Sequence, residues 1–179
     1  MQKKLKSFTL LEIVISIALF TIITLLILGI FSKIVQTQYE IYDTQTLQNN
    51  VQYLIEVLSK EARMAKRDEA GTCLGVSGRV FYGETSSSLN FLNYKGECIH
   101  YGYNPTDKKI YKSVNGGSLI SVTSKEVEVN SAIFSCSDET IPVPIQPLVY
   151  FSAILSNPNY EDESKKIKVQ TTISARVYH

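Results

Sequence analysis

The sequence predicts an α+β protein with a long N-terminal helix and a β-rich C-terminal part. A continuous apolar run, Phe8–Phe31, leads into a helical pattern that contains no Pro and no Gly from residue 32 to residue 70. After Gly71, apolar and polar residues alternate, which is the period of strands with one buried face. We therefore expect a long helix packed on an antiparallel sheet, the layering of α+β domains.

The run Phe8–Phe31 is long enough to cross a membrane, because about twenty apolar residues in a helix span the hydrocarbon. Its Leu and Ile content favours insertion. The single charge in this run is Glu12. A carboxylate in such a segment is costly and by default indicates a function.

The residues before the apolar run set its orientation. Residues 1–7 contain three lysines and no acid, so the positive-inside rule places the N-terminus in the cytoplasm and the residues after Phe31 outside it. A cleaved secretory signal is the rival interpretation. Its apolar region is shorter and ends in a small-x-small site, whereas Ser32-Lys33-Ile34 follows this longer run.

Residues 32–70 are predicted to continue the helix as an amphipathic half. The apolar residues recur at steps of three and four and form one stripe: Leu47, Val51, Leu54, Ile55, Leu58, Ala62 and Ala65. Basic residues near Arg67 suit the C-terminal end of a helix dipole, and Gly71 is a natural stop. We expect one helix from about Phe8 to about Arg67, roughly 90 Å long.

The remaining part, residues 71–179, is predicted to form an extracytoplasmic β-rich head. Lys95-Gly96 and Asn115-Gly116 are turn signals between alternating segments. The strongest alternation is the last, from Ile167 to Val177. The predicted strands are Ser88–Tyr94, Glu97–Tyr103, Lys109–Val114, Ser118–Thr123, Val127–Cys136, Leu148–Leu155 and Ile167–Val177.

Composition and motifs point away from enzyme chemistry. The formal net charge is +1, so bulk electrostatics predicts no nucleic-acid partner. His100 and His179 do not make a pair with ligand spacing, and no nucleophile motif such as GxSxG is present. We expect no catalytic residues, no cofactor and no metal.

The charged clusters of the head can be interpreted either as binding sites or as ordinary solvent-exposed residues. The run Glu161-Asp162-Glu163 contains calcium-type ligands but lacks calcium-loop spacing, so we interpret it as a solvated turn. A basic and aromatic cluster could contact single-stranded DNA, and we interpret it as exposed strand and turn residues: Tyr103, Lys108, Lys109, Tyr111 and Lys112. Lys165, Lys166 and Lys168 form a second basic cluster, interpreted in the same way.

The three cysteines are Cys73, Cys98 and Cys136. In an oxidising compartment one pair can form a disulfide and one thiol then remains. The spacing does not select the pair. None of the three lies in a CxxC motif, so the expected role is structural.

The stretch Ser7-Phe8-Thr9-Leu10-Leu11-Glu12, between a basic leader and an apolar helix, resembles the N-terminal signature of type IV prepilins and pseudopilins. The resemblance implies a pilin-like fold, cleavage by prepilin peptidase between Ser7 and Phe8, and N-methylation of Phe8. It also implies assembly into a filament through the N-terminal helices. The implied partners are other pilin or pseudopilin subunits, the peptidase and an inner-membrane assembly platform.

Details of the motif favour a low-abundance member of that family. Ser7 stands where the family usually has Gly, a departure that concerns the efficiency of cleavage and not the choice between major and minor members. Gly29 stands where many major pilins carry a helix-breaking proline, and the ending Gln170–Ser174 is similar to that of several minor members. The expected function is therefore a minor pilin or minor type II secretion pseudopilin, held in the inner membrane before assembly.

Glu12 has a physical role in such a filament. Cleavage before Phe8 creates a positive amine, and pairing of Glu12 with the amine of a neighbouring subunit relieves the cost of a carboxylate in an apolar layer. The plain alternative is an acid satisfied by headgroups or water. Two other functions remain open: a single-pass anchored adhesion domain that never polymerises, and a DNA-uptake pseudopilin.

Overall fold

The structure is a computed structural model that describes residues 9–137, 146–158 and 166–176. These ranges form one helix, α1, and eight strands in two antiparallel sheets. The chain divides within α1 into two compact units, Met1–Asp43 and Thr44–His179. The bounds are α1 Leu10–Arg63, β1 Phe81–Tyr82, β2 Ser88–Leu92, β3 Cys98–Asn104, β4 Lys109–Val114, β5 Ile120–Ser121, β6 Glu128–Cys136, β7 Leu148–Ser156 and β8 Ile167–Ser174.

The α+β prediction is confirmed, and the single predicted sheet is replaced by two. One sheet has the order β1-β2-β3-β4-β5 and the other the order β6-β7-β8. The first sheet ends at β5, whose two residues pair only with β4, and the chain then leaves it to begin β6. Backbone hydrogen bonds still join the sheets, from Phe134 N–H to Ser86 O at 2.7 Å and from Val129 N–H to Lys108 O at 2.8 Å.

Both predicted hairpin turns are present. Gly96 has φ 83° between β2 and β3, and Asn115 and Gly116 have φ 51° and 69° after β4. Asn and Gly tolerate this left-handed region, whereas most side chains do not. The registers follow, with Leu92 opposite Cys98 and Tyr111 opposite Ser121.

The apolar stripe of α1 provides the helical side of the core, as predicted. Its most buried members are Leu47, Leu54, Leu58 and Ala62, and Ala65, just after α1, is buried with them. Val51 packs against this core from its edge. The sheets contribute large buried side chains that include Phe91, Tyr101 and Phe151. Burying one such side chain stabilises the fold by about 1.5–3 kcal/mol, so this stripe positions α1 on the sheets.

The C-terminal end of α1 lies four residues before the predicted end near Arg67. The helix ends at Arg63 because the next backbone groups bond elsewhere. Ala65 N–H donates to Ala62 O at 3.2 Å, and Lys66 N–H donates to Leu92 O of β2 at 2.8 Å. Pairing with the sheet therefore replaces the next helical turn.

Most predicted strands differ from the observed ones by a few residues at their ends, and one short strand is new. The short strand β1 was not predicted, because Phe81–Tyr82 is too short to show a period. Strand β8 ends at Ser174, where the Ala175 N–H turns to Pro147 O at 3.0 Å. The predicted end at Val177 and the acidic run 161–163 lie outside the described residues.

A buried carboxylate organises the loop after α1. Asp68 is 2% exposed, and its oxygens accept the backbone N–H groups of Thr72, Cys73 and Leu74 at 3.2, 2.8 and 2.9 Å. Burial acts to raise the pKa of this carboxyl, but the backbone hydrogen bonds outweigh burial and hold its pKa below the ordinary value. The loop is therefore built around an ionised Asp68.

A polar network holds α1 against the first sheet. The Tyr101 hydroxyl on β3 donates to Glu61 Oε2 at 2.7 Å, and Lys112 on β4 forms an ion pair with Glu61 Oε1. Burial raises the pKa of Tyr101, and the hydrogen bond to Glu61 raises it further. Asn50 adds a second polar link, because its side-chain oxygen accepts the Ser124 N–H at 3.1 Å. These links set the rotation of α1 on the sheet.

We predict that Asp68→Asn lowers the free energy of unfolding at neutral pH by about 1–3 kcal/mol, because buried N–H groups lose a charged acceptor. The folded-state pKa of Asp68 is lowered, so its contribution is full above the unfolded value near 4 and disappears as pH falls through the folded value. Urea titration of the full chain in mild detergent at pH 7 and pH 3 measures both effects. Glu69→Gln at the exposed neighbour is the control, and equal losses at the two pH values contradict the prediction.

Candidate assembly site

The apolar half of α1 is uncovered in the isolated chain. Every large apolar side chain from Leu10 to Phe31 is between 50% and 82% exposed. Helix α1 is long and apolar enough to span a membrane, and it is the one such helix among the described residues. Water is a poor solvent for this surface, so the segment needs lipid, other helices or both around it.

The helix begins with a cap that includes Glu12. Thr9 precedes α1, and its hydroxyl oxygen accepts the Glu12 N–H at 3.3 Å. Thr9 and Glu12 have the spacing of a capping box, in which Glu occupies the third helical position. The Glu12 carboxylate therefore lies in the first turn, where the helix dipole favours negative charge by about 0.3–1 kcal/mol.

The other polar groups of the apolar segment are satisfied inside the helix. The hydroxyls of Ser16, Thr21 and Thr24 donate to the carbonyls four residues earlier at 2.7, 2.8 and 2.8 Å. Such bonds let hydroxyl groups enter an apolar medium at small cost. Within the described ranges, Glu12 is the group of this segment whose charge still needs a partner.

Two explanations of Glu12, capping of the helix and pairing with a cation, can be compared by the free energy that each requires. A dipole contribution of about 0.3–1 kcal/mol is smaller than the few kcal/mol that insertion scales assign to a charged side chain in the hydrocarbon. Capping by itself therefore does not offset membrane burial. A cation in the same layer would supply the missing stabilisation, and the partner expected from the sequence is a mature N-terminal amine. Ser7 and Phe8, which bear on that prediction, lie outside the described residues.

The structure joins two of the three candidate cysteines. Cys73 in the loop after α1 and Cys98 at the start of β3 form a disulfide with a Cα–Cα distance of 5.4 Å, within the usual range. The hydrogen bond from the Cys73 N–H to Asp68 holds one end in place. Cys136 lies half-buried at the end of β6, outside this disulfide. Sequence spacing left the pairing open because it carries no information on which loops meet.

The basic cluster considered for DNA contact is engaged within the protein. Lys108 pairs with Glu128 at 2.7 Å, and Lys112 pairs with Glu61. Lys109 Nζ donates to two backbone carbonyls, those of Ser124 and Val127. These lysines hold strands and loops together, so their charges are already matched by internal acceptors.

His100 lies on β3, and its Nδ1 is 2.6 Å from Asn90 Oδ1 on the paired strand. In the described ranges, no group of three His, Cys, Asp or Glu side chains has the arrangement of a metal site.

Sequence reasoning missed the network of Glu61, Tyr101 and Lys112, since no local pattern links residues so far apart.

Comparison with protein families, with curated proteins and with solved structures found no match for this chain.

We predict that the disulfide contributes about 3.5 kcal/mol to stability, the loop-closure value for a sequence separation of 25 residues. Cys73→Ser and Cys98→Ser should each lower the free energy of unfolding by about that amount in urea titrations of the full chain. Cys136→Ser is the control, with an expected change under about 1 kcal/mol. Peptide mapping without reduction should recover Cys73 linked to Cys98, and a linkage through Cys136 would contradict the pairing.

Proposed function

We propose that this protein is a non-enzymatic structural subunit, a minor pilin or pseudopilin, of a type IV pilus or type II secretion-like filament. In this proposal it is stored in the inner membrane with its N-terminus in the cytoplasm and its head outside. The observation that carries the proposal is Glu12, the one carboxylate of the apolar segment Leu10–Phe31, whose large apolar side chains are all exposed. The motif Ser7–Glu12 supports it by its resemblance to the prepilin signature.

The physical reasoning favours polymerisation over simple anchoring. A membrane anchor needs only apolar residues, and a carboxylate weakens its insertion. In an assembly of helices, the same carboxylate has a use, because a cut before Phe8 creates an amine four residues from Glu12. An axial slip of one turn, 5.4 Å, would separate Glu12 from the amine of a neighbouring subunit. The pair therefore selects one register among many apolar contacts of similar energy.

The head in this proposal presents surfaces to neighbouring subunits or cargo. It is packed on the last turns of α1 through the buried stripe and through Glu61. A charge balance near neutrality and engaged lysines on β4 favour protein contacts over nucleic acid.

We predict that the mature chain begins with N-methylated Phe8. Intact-mass and N-terminal peptide measurements on protein from native membranes should show loss of residues 1–7 and addition of one methyl group. Blocking the cut with Phe8→Pro, which alters the backbone at the bond, should leave the seven-residue leader in place. A functional chain that retains Met1–Ser7 contradicts the proposed function.

We predict that Glu12→Ala reduces incorporation into filaments at least about tenfold, which corresponds to a loss of about 1.4 kcal/mol. Quantitative immunoblots of sheared filaments, normalised to membrane-held subunit, measure this ratio. Ser16→Ala is the matched control, since Ser16 lies one turn further along and its hydroxyl is satisfied by Glu12 O. If Glu12→Ala is incorporated into filaments as well as the wild-type chain, the carboxylate does not set the register.

A further inference from the structure

A groove runs along one flank of the C-terminal half of α1. Its volume is about 850 Å³, and its walls come from α1 and from β8 and the residues that follow it. The apolar lining is Val51, Ile55, Met64 and Ile167. Met64 is 42% exposed, so part of this lining faces water among the described residues.

The rim of the groove is basic. Lys60, Arg63 and Arg176 line it, with Glu56 as the opposing acid. The side chains of all three cations are exposed. The Arg176 N–H donates to Arg63 O at 2.9 Å, so the backbone just after β8 is joined to the end of α1. The groove therefore suits an apolar or aromatic occupant that carries a negative charge.

A complementary surface exists on α1 itself, nearer the membrane segment. Tyr39, Tyr42 and Asp43 are spaced i, i+3 and i+4, so they share one helical face. Tyr39 is 69% exposed and Tyr42 is 62% exposed. Tyr39 lies eight residues, or about 12 Å, beyond Phe31 along the helix. Under the proposed function, in which Phe8–Phe31 spans the hydrocarbon, this face therefore lies outside the lipid. Exposed tyrosines of this kind are frequent anchors of protein interfaces.

We propose that the groove of one copy binds the Tyr39, Tyr42 and Asp43 face of a second copy. The tyrosine rings cover the apolar lining, and Asp43 approaches the basic rim. This is recognition of a helix in a groove, which uses side chains at i, i+3 and i+4. Tyrosine next to arginine adds a cation–π attraction.

The geometry of this contact has a consequence for assembly. The two surfaces are different parts of the molecule, so the contact is heterologous and a bound pair of copies still offers one free groove and one free face. Heterologous contacts that do not close generate helical arrays. The inference rests on the proposed function in that a filament supplies the parallel neighbours, and it adds a head-level contact to the helix bundle.

The contact can be trapped in the full chain in native membranes. Gln52 lines the groove and is exposed, and replacing it with p-benzoylphenylalanine places a photoreactive group there. After irradiation we expect an adduct of dimer mass whose peptides join residue 52 to residues 39–43. The same replacement at Tyr94, an exposed aromatic on the β2–β3 turn, is the matched control and should give no such adduct.

Charge reversal tests the complementarity. Arg63→Glu and Asp43→Lys should each lower the adduct yield at least about fivefold, and the two together should restore most of it. Lys125→Glu, at an exposed position outside the groove, should leave the yield unchanged. Thermal melting of each variant checks the fold, and a pair of reversals that fails to restore the adduct in folded protein overturns the contact.

The other outcomes also decide the proposal. A monomer-mass adduct to residues 159–165 would show that the chain covers its own groove. An adduct to lipid would assign the groove to the membrane surface, and the absence of any adduct would leave it without this occupant. Each of these overturns the contact. Processed Phe8 and Glu12-dependent filaments without the 52-to-39–43 adduct would refute this contact alone, whereas an uncut leader would refute the proposed function.

Discussion

The need to remove apolar side chains from water governs both halves of α1, and the rest of the structure depends on it. In the C-terminal half, Leu54 and Leu58 are almost completely buried against the sheets. In the N-terminal half, Leu25 and Leu26 are each 64% exposed. The same residue type gains about 1.5–3 kcal/mol on burial in either place. In the first half, that gain is available only from lipid or from other chains.

Polar groups then determine which of the possible packings is adopted. Apolar contacts are tolerant of rotation and sliding, whereas hydrogen bonds require particular distances. Glu61 satisfies this requirement between α1 and the first sheet, Asp68 does so in the following loop, and the disulfide joins that loop to β3. The half-buried ion pair of Glu61 with Lys112 and the buried carboxylate of Asp68 both lie near the point where the chain leaves α1 for the sheets. In the apolar half, Glu12 has the same character without an internal partner among the described residues.

Under the proposed function, these two features belong to one assembly mechanism. A satisfied polar network gives the head a fixed position on the end of α1, and an unsatisfied carboxylate gives the apolar segment a preferred register. The groove and the tyrosine face extend this logic to the head, since both combine an apolar surface with charges of opposite sign. Two separate contacts would then determine how neighbouring copies are placed: the pairing of Glu12 in the apolar segment and the binding of the tyrosine face in the groove.

The features that the sequence predicted correctly are those that depend on residues close together in the chain. The 3.6-residue and 2-residue periods specified the helix stripe at Leu54 and Leu58 and the long strands, because these patterns depend on local geometry. The hairpin at Gly96 needed only its own turn residues. The tertiary structure alone decided the split into two sheets, the end of α1 at Arg63, the pairing of Cys73 with Cys98 and the groove beside β8. Each of these features depends on contacts between segments that are far apart in the sequence. Such contacts produce no periodic pattern in the sequence, so they cannot be inferred from it.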